Sequence, residues 1–340
     1  MVKNSKVKKG IACFVLGGFL LSMDMQTALA ATTMSNVDQI VEQAREVKKY
    51  EIIAEVRKGN SEWANRLLRG TAYPKSSNFQ LQNTRVTKIG DTQVDYQGDT
   101  VYIGRAVLTN NSSTEQKLVT QSFSETVLDS VTTITTQAVG TSVNASCDFQ
   151  VPFLGSTGIA LTSTYNFSVA SNNTNTRSVT HTVQPQSVVV PPNSSVEVVV
   201  TLNKAKVTGN VALQGELVGS ESGTMSFQGY NNYFGWIFAF YEDYSFTLAD
   251  IANKYGGDKG NMEQGTYFFG IVPNADGSIN IAGKGTYEAS VGTELIVTVR
   301  DLTTGKSVSV ELEGEASTDR NTANGASNVI YSSPESIKIL

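Results

Sequence analysis

The sequence predicts a mainly β protein with long antiparallel strands and a small helical part near its N-terminal end. Three observations support this class. Apolar residues recur every three or four positions between residues 36 and 70, and beyond about residue 80 the period changes to two. The alternating segments are bounded by Gly, Asn, Asp and Pro, which end strands and form turns. Asp276-Gly277 is a strong signal for a two-residue hairpin turn.

The first thirty residues have the layout of a secretory signal peptide. Four Lys precede a short apolar run, Ile11–Met23, and Ala28-Leu29-Ala30 is a small-x-small cleavage site. The run is shorter than the roughly 20 residues that a membrane-spanning helix needs. We therefore predict cleavage after Ala30 and a secreted protein that keeps one cysteine, Cys147, and so has no internal disulfide.

The predicted helix begins near residue 36, and Gly59-Asn60 and Gly70 are its candidate stop signals. One face of the helix is apolar and the other faces are charged. The apolar face consists of Val37, Ile40, Val41, Ala44 and Val47. The clearest predicted strands are Thr100–Leu108, Ser195–Leu202, Val207–Leu217, Ser278–Gly283 and Glu294–Leu302.

The composition argues against several classes of function. The chain has 340 residues, a net charge of −5, one His and two Cys, and only 17% of its residues are charged. A multi-His metal site is impossible with His181 alone, and the sequence contains no persuasive carboxylate pair or triad. An acidic chain with few charges is also a poor partner for nucleic acid. We expect a protein without catalytic activity, cofactor or metal.

Residues 139–169 alternate between apolar and polar side chains on both sides of a turn, so each arm has one mostly apolar face and one almost wholly uncharged polar face. The apolar face consists of Val139, Val143, Ala145, Cys147, Phe149 and Val151 on the first arm and Ile159, Leu161, Tyr165, Phe167 and Val169 on the second. The polar face consists of Ser142, Asn144, Ser146, Asp148, Gln150, Thr162, Thr164 and Asn166, and the turn contains Pro152, Phe153 and Leu154.

Two interpretations fit this alternation. A half-buried hairpin of a β-sandwich alternates in the same way. A membrane-inserting hairpin is favoured because Asp148 is the only charged residue between Asp129 and Arg177, and because arms of 13 and 11 residues reach the 9–11 of a tilted transmembrane strand. A single hairpin would leave backbone groups unpaired in lipid, so several copies would have to close a barrel with Asp148 in its lumen.

The hairpin and its flanks carry a family resemblance. The segments AVGTSVNASCDFQVPF and TGIALTSTYNFS, followed by VVVPPNSSVEVVV and KVTGNVALQGELVGSE, resemble the epsilon-toxin branch of the aerolysin-like β-pore-forming toxins. The resemblance implies an elongated, secreted protoxin of three domains that proteases activate and that assembles into a ring, typically a heptamer. The hairpins of the ring then join into a transmembrane β-barrel.

This resemblance divides the chain into parts. Residues 31–80 and about 223–272 form the receptor-binding domain. The middle domain, with the inserting hairpin 139–169, takes about 81–110, 120–190 and 273–290. A C-terminal β-sandwich takes about 111–119, 191–222 and 291–320, and a propeptide takes about 321–340. Arg320 is the expected activation site, although it could equally be an incidental surface arginine in a small-residue linker.

Half of the residues between 227 and 246 are aromatic. In the family, exposed aromatics of the N-terminal domain contribute to receptor binding, and Tyr and Trp suit that task because they are large, stiff and amphipathic. Core packing is the competing explanation for each of them. The candidates are Tyr230, Tyr233, Trp236 and Tyr241, with Tyr50, Trp63 and Tyr73 from the helical part.

The expected partners are a cell-surface receptor (a protein or a glycan), the target membrane, an activating protease and further copies of the chain. The alternative function is a secreted, non-catalytic β-rich protein that binds glycans or surfaces and never inserts. A secreted hydrolase is disfavoured by the missing catalytic constellations.

Overall fold

The computed structural model describes residues 36–59, 69–96, 99–151, 161–231, 236–256, 271–317, 327–333 and 336–339. These residues contain two helices, α1 (Val37–Gly59) and α2 (Leu248–Tyr255). The strands are β1 (Arg69–Asp95), β2 (Thr100–Asn110), β3 (Gln116–Val119), β4 (Phe123–Gln137), β5 (Ser146–Gln150), β6 (Thr162–Asn166), β7 (Ser171–Val183), β8 (Ser187–Val190), β9 (Ser194–Asn231), β10 (Trp236–Thr247), β11 (Ile279–Asp301), β12 (Ser307–Leu312), β13 (Gly314–Ser317), β14 (Ser327–Tyr331) and β15 (Ile337–Lys338). The prediction of a mainly β chain with an N-terminal helix is confirmed.

The long strands β9 and β11 form the centre of a ten-stranded sheet. Strand β9 pairs with β2 and β1 along one edge and with β11 and β10 along the other. From β11 the sheet continues through β4, β7, β14 and β13, and β14 lies parallel to β7. Two smaller sheets, β15-β8-β3 and β5-β6, complete the described strands. Neither described helix is long and apolar enough to cross a membrane.

Two apolar cores lie along the large sheet. The first lies between α1, the hairpin β5–β6 and strands β1, β9 and β11, and it contains the whole predicted apolar face of α1. The second contains many valines, contributed by strands that include β7, β8, β9, β11 and β14. The N-terminal helix and the hairpin therefore share a core, and the C-terminal strands belong to the other one.

Three strands run past the expected domain boundaries. Strand β1 continues through residue 80, β9 through residue 222 and β11 through residue 290. The segments predicted as separate strands, Ser195–Leu202 and Val207–Leu217, are joined in β9 because pairing with β11 continues between them. Helix α2 was missed in the sequence. Its N-cap Thr247 accepts a hydrogen bond from the Asp250 N–H at 3.0 Å.

Helix α1 is fastened to the sheet by a buried carboxylate on β9. The two oxygens of Glu221 accept hydrogen bonds at 2.7 Å from Nε and Nη2 of Arg45 on α1. Ser77 on β1 and Tyr244 on β10 each donate a further hydrogen bond to Glu221 at 2.8 Å. Burial disfavours the charged carboxylate, but these hydrogen bonds and the Arg45 charge outweigh it and hold the pKa of Glu221 below its ordinary value.

Candidate functional site

The hairpin segment lies on one face of the large sheet and forms a separate two-stranded sheet, with Ser146 opposite Asn166. Its apolar face is turned toward the large sheet. Eight residues of that face are at most 6% exposed: Val139, Val143, Cys147, Phe149, Val151, Leu161, Tyr165 and Phe167. Burial of such a side chain contributes about 1.5–3 kcal/mol, so the hairpin leaves this position only if another apolar environment replaces the sheet.

The remaining residues of the predicted hairpin fall into three groups. Ala145 is partly buried against the same core, whereas Val169 is 44% exposed because β6 ends at Asn166 and the chain bends away. The polar face is turned to solvent: Ser142, Asn144, Ser146, Asp148, Gln150 and Thr162 are exposed, and Thr164 and Asn166 are partly so. Pro152, Phe153, Leu154 and Ile159 lie outside the described residues.

Side chains of the large sheet hold β6 in place. The backbone carbonyls at three alternate positions of β6 accept hydrogen bonds from Asn175 (3.0 Å), Thr133 (3.0 Å) and Thr135 (2.8 Å) on β7 and β4. The Thr133 hydroxyl also lies 2.9 Å from that of Ser163. Such hydrogen bonds contribute about 0.5–1.5 kcal/mol each. Among the described strands, β5 and β6 pair only with each other, so their removal from this face would break no strand pairing of the large sheet.

Aromatic rings fit the hairpin closely onto β11. The Tyr165 hydroxyl donates to the Thr286 carbonyl at 2.8 Å, and the Phe149 ring lies 5.1 Å from the ring of Tyr287. Gly285 allows this approach, because a Cβ there would lie 2.6 Å from Cε1 of Tyr165. These contacts make the buried position specific.

The N-terminus of α1 clamps the loop that precedes β5. The Val37 N–H donates to the Val139 carbonyl at 2.6 Å, and the Asp38 carboxylate accepts the N–H groups of Thr141 (2.9 Å) and Ser142 (2.7 Å). Gly140 has φ of 133°, and a Cβ on it would lie 2.6 Å from Oδ1 of Asn36 and 3.1 Å from the backbone nitrogen of Asp38. Partial burial opposes ionisation of Asp38, but the hydrogen bonds from Ser142 and Thr141 outweigh burial and hold its pKa below the usual range.

The sequence analysis did not predict the side-chain hydrogen bonds to β6 or the contacts of Asp38, although the sequence contains a signal for the first of them. Thr133, Thr135, Asn173 and Asn175 are polar residues on the face of β4 and β7 that is buried elsewhere along these strands. Polar side chains at inward positions indicate that something other than a plain apolar core covers that face. Asp38 carries the usual acidic charge of a first helical turn, so its role could not be told from ordinary capping.

Two of the predicted receptor-binding tyrosines share an exposed face near the C-terminal end of β9. Tyr73 on β1 lies opposite Thr224, and Tyr241 on β10 lies opposite Ser226 two positions along the same strand. The two tyrosines are 57% and 68% exposed. Asp243, on the same face, accepts a hydrogen bond from Thr224 at 2.7 Å. The face therefore presents two rings beside hydroxyl and carboxylate groups.

The other aromatic candidates are placed differently. Tyr50 is partly buried against the first core, and its part in receptor binding stays a prediction. Trp63 and Tyr233 lie outside the described residues, and Tyr230 and Trp236 lie in strands whose side chains there are not described. Core packing holds for the neighbouring phenylalanines Phe227 and Phe246, which are buried, and for Phe240, which stacks on Phe227 at 4.9 Å.

The C-terminal segment is built into the second core. Strand β14 covers the edge of β7, and β15 covers the edge of β8. Val329, Tyr331 and Ile337 from these strands are buried. Arg320, the predicted activation site, lies outside the described residues, between β13 and β14. Removal of β14 and β15 would uncover the edges of β7, β8 and β13 and open the second core.

A buried polar group lies under β14. The His181 Nδ1 lies 2.9 Å from the Tyr331 hydroxyl, and Asp129 accepts the Gly292 N–H at 3.0 Å. Burial, aided by the charge of Lys204, lowers the pKa of His181 to about 4. Burial raises the pKa of Asp129 to about 6, against the opposing effects of the Gly292 N–H and of nearby positive charges. In the described ranges, no three His, Cys, Asp or Glu side chains are placed to hold a metal ion.

The mainly β architecture, with an N-terminal helix and a hairpin packed on a long sheet, is the fold of the aerolysin-like β-pore-forming toxins, and similar solved structures agree with this fold. One is the Mpp75Aa1.1 β-pore-forming protein from Brevibacillus laterosporus, with a TM-score of 0.54 and 19% identity, covering 82% of this chain and 94% of that one. Another is a non-toxic crystal protein from Bacillus thuringiensis, with a TM-score of 0.50 and 15% identity, covering 79% and 97%.

The family is established by sequence. Residues 68–313 match the family of Clostridium epsilon toxin ETX and Bacillus mosquitocidal toxin MTX2, and the chain belongs to this family. No curated protein sequence matches the chain. The family is one of pore-forming toxins rather than enzymes, which is consistent with the expectation of a chain without catalytic activity.

Proposed function

We propose that the chain is a secreted protoxin that binds a cell-surface receptor, is cleaved near its C-terminus, oligomerises and inserts the 139–169 hairpin of each subunit into a transmembrane β-barrel. The observation that carries this proposal is the packing of the hairpin. Its apolar face is buried against the sheet, and its polar face, on which Asp148 is the one charged residue among those described, is in solvent. Side-chain hydrogen bonds, rather than a backbone ladder, hold β6 to the large sheet. Several hairpins joined edge to edge would satisfy every backbone group in lipid.

The buried C-terminal strands support a role for cleavage in activation. A cut at Arg320, between β13 and β14, would leave β14 and β15 held by their strand pairings and by a few buried side chains. Their departure would expose the edge of β7, which directly follows the hairpin in the chain. An uncovered edge is available to pair with another chain, so cleavage would prepare the subunit for a ring, for which a heptamer is the expected size.

The exposed tyrosine face supports receptor binding at the opposite end of β9 from the second core. Tyr73 and Tyr241 would stack on a receptor, and the polar groups of Thr224 and Asp243 would supply hydrogen bonds. We expect Tyr73→Ala and Tyr241→Ala together to reduce cell binding at least tenfold with unchanged thermal unfolding, measured with labelled protein on insect, nematode and mammalian cells. The double variant Tyr96→Ala, Tyr102→Ala, which removes equally exposed tyrosines elsewhere, is the control. Equal binding by both double variants would refute the assignment.

The pore itself is tested by dye release after limited trypsin treatment, from the same cells and from calcein-loaded phosphatidylcholine vesicles. We expect release together with an SDS-resistant oligomer. The variant Thr133→Cys, Ser163→Cys joins positions whose hydroxyls are 2.9 Å apart and would pin β6 to β4. Oxidised, it should bind cells without lysing them, and reduction should restore lysis. Binding without release from any membrane, for the unmodified cleaved protein, would instead favour the surface-binding alternative.

A further inference from the structure

The hairpin contains two different strand registers that meet at one residue. The carbonyl of Phe167 accepts the N–H of Val139 at 2.8 Å, and the N–H of Phe167 donates to the carbonyl of Ala145 at 2.9 Å. The first contact continues the register of β4 with β7, and the second continues that of β5 with β6, in which Ser146 lies opposite Asn166. Because Val139 and Ala145 are six positions apart, the two registers differ by six residues.

We propose that the two arms slide by six residues when the hairpin inserts, so that residues 140–145 become part of the first strand and one register runs from β4 to the tip. This inference rests on the proposed pore-forming function. In the structure these six residues form a loop between β4 and β5, and the N-terminus of α1 clamps it through Asp38. The clamp thus holds the length of chain that the inserted strand requires.

The length of the paired strands argues for the slide. Strands β5 and β6 have five residues each, whereas a transmembrane β-strand needs about 9–11. An arm that starts at Val139 is long enough, but it then includes the loop. A loop left inside the membrane would expose unpaired backbone groups to hydrocarbon, each at a cost of several kcal/mol. Incorporation of residues 140–145 into the strand removes this problem.

The anchorage of the two pairings indicates which of them moves. Thirteen residue pairs join β4 to β7, and these strands also pair with β11 and β14. Only five pairs join β5 to β6, and they are held to the sheet by side chains. If one register has to be given up, loss of the β5–β6 register therefore breaks fewer strand pairs than loss of the β4–β7 register. A shift of six is even, so every side chain stays on its own face, and the apolar and polar faces are preserved.

The continuous register joins the hairpin's polar face to a row of hydroxyls that the structure already exposes to water. On the outer face of β4 and β7, the hydroxyls of Thr126 and Thr180, and those of Thr132 and Thr174, lie 2.9 Å apart. These even-numbered positions share their face with the predicted lumen residues, so the barrel wall would continue beyond the membrane as an uncharged surface rich in hydroxyl groups, on which Leu128 and Ile134 also lie. In this register the midpoint of the hairpin is Phe153, which lies outside the described residues.

Paired cysteines distinguish the two registers, in a Cys147→Ala background that leaves no other cysteine after the predicted cleavage site. Ser146 and Asn166 lie opposite each other at a position between hydrogen-bonded pairs, where strands are closest and a disulfide fits. Oxidised Ser146→Cys, Asn166→Cys protein should bind cells normally but lose at least tenfold in dye release and regain it on reduction. The control is Thr132→Cys, Thr174→Cys, whose β4–β7 register does not change, so its disulfide should leave release intact.

A second pair detects the new register directly. Asn144 and Thr162 lie opposite each other only after the slide, and six positions of strand correspond to about 20 Å before it. The variant Asn144→Cys, Thr162→Cys should therefore form its disulfide in the SDS-resistant oligomer and not in the monomer. Undiminished release by the oxidised Ser146→Cys, Asn166→Cys protein, or no Asn144–Thr162 disulfide in lytic oligomers, would overturn the slide while leaving the pore intact. Failure of the unmodified protein to release dye would overturn the pore and the slide together.

Discussion

Glu221 and His181 are both buried polar side chains, but their surroundings satisfy them to very different degrees. Glu221 accepts four hydrogen bonds, from Arg45, Ser77 and Tyr244, and joins α1 to three strands. His181 has one hydrogen-bond partner, Tyr331, and no group in the described part of the chain reaches its Nε2. A complete network fixes one arrangement, whereas an incomplete one leaves its element easier to displace.

The difference matches what each network holds. The Glu221 network lies beneath the tyrosine face, which under our proposal contacts a receptor and keeps one shape throughout. The His181 network lies beneath β14, which under our proposal leaves after cleavage. Asp129 adds to the contrast because it is buried with a raised pKa beside the same strands. Under this proposal, the part of the molecule that stays and the part that leaves differ in how fully their buried polar groups are paired.

The largest expected effect comes from breaking the complete network. Arg45→Ala leaves the Glu221 carboxylate, whose side chain is fully buried, without its counter-charge. We expect a loss of about 3–5 kcal/mol in the free energy of unfolding, because an uncompensated buried charge is strongly destabilising. Urea denaturation measures it. The control Glu42→Gln removes the exposed partner of the same arginine and should cost less than about 1 kcal/mol. Equal losses would show that the network is not the anchor.

The next effect is a pH dependence of the incomplete network. The folded-state pKa of His181, about 4, lies below the ordinary 6.5, so its contribution to stability is present above pH 6.5 and is lost as the pH falls toward 4. For Asp129 the folded pKa of about 6 lies above 3.8, so protonation on acidification relieves a cost and opposes the loss from His181.

The variant His181→Phe keeps a ring but cannot take a proton. As the pH falls from 6.5 to 4, the free energy of unfolding of this variant should therefore rise relative to that of the unmodified protein, by up to about 3 kcal/mol. Asp129→Asn should show the opposite trend over the same range. Denaturant midpoints measured at half-unit pH intervals would provide the comparison. A constant offset for both variants across this range would contradict the assignment of titrating groups under β14.

The smallest effect is expected outside both networks. Lys75 and Asp243 form an ion pair at 3.2 Å on the tyrosine face, but both side chains are largely exposed. Solvent screens such pairs, so Lys75→Ala should leave the free energy of unfolding unchanged within error. Thermal unfolding in low and high salt tests this. A salt-dependent loss comparable with that of Arg45→Ala would mean that burial does not determine which ion pair contributes more to the free energy of unfolding.

Much of the fold was accessible from the sequence because its periodicities are strong. The spacing of Val37, Ile40 and Val41 identified α1, and strict alternation identified the long strands. Helix α2 was missed because its eight residues follow an aromatic strand and offer barely two turns of pattern. The fusion of two predicted strands into β9 could not be foreseen, since it depends on pairing with the distant strand β11.

The candidate site was predictable in composition but not in arrangement. Alternation alone separated the buried and exposed faces of the hairpin, yet it contained no information on register. The six-residue difference arises from contacts between Phe167 and two partners, which no local pattern records. Likewise Tyr50 and Tyr73 look equivalent in the sequence, and only the packing of α1 against the sheet distinguishes a partly buried ring from an exposed one.

The position of Cys147 gives the unmodified protein a chemical reporter. Its thiol is 1% exposed on the apolar side of β5 and is the one cysteine in the described part of the chain. A water-soluble disulfide reagent can reach the sulfur only while the hairpin is lifted from the sheet. The labelling rate at saturating reagent therefore equals the frequency of this opening. That rate can be compared before and after proteolysis, in solution and without a membrane.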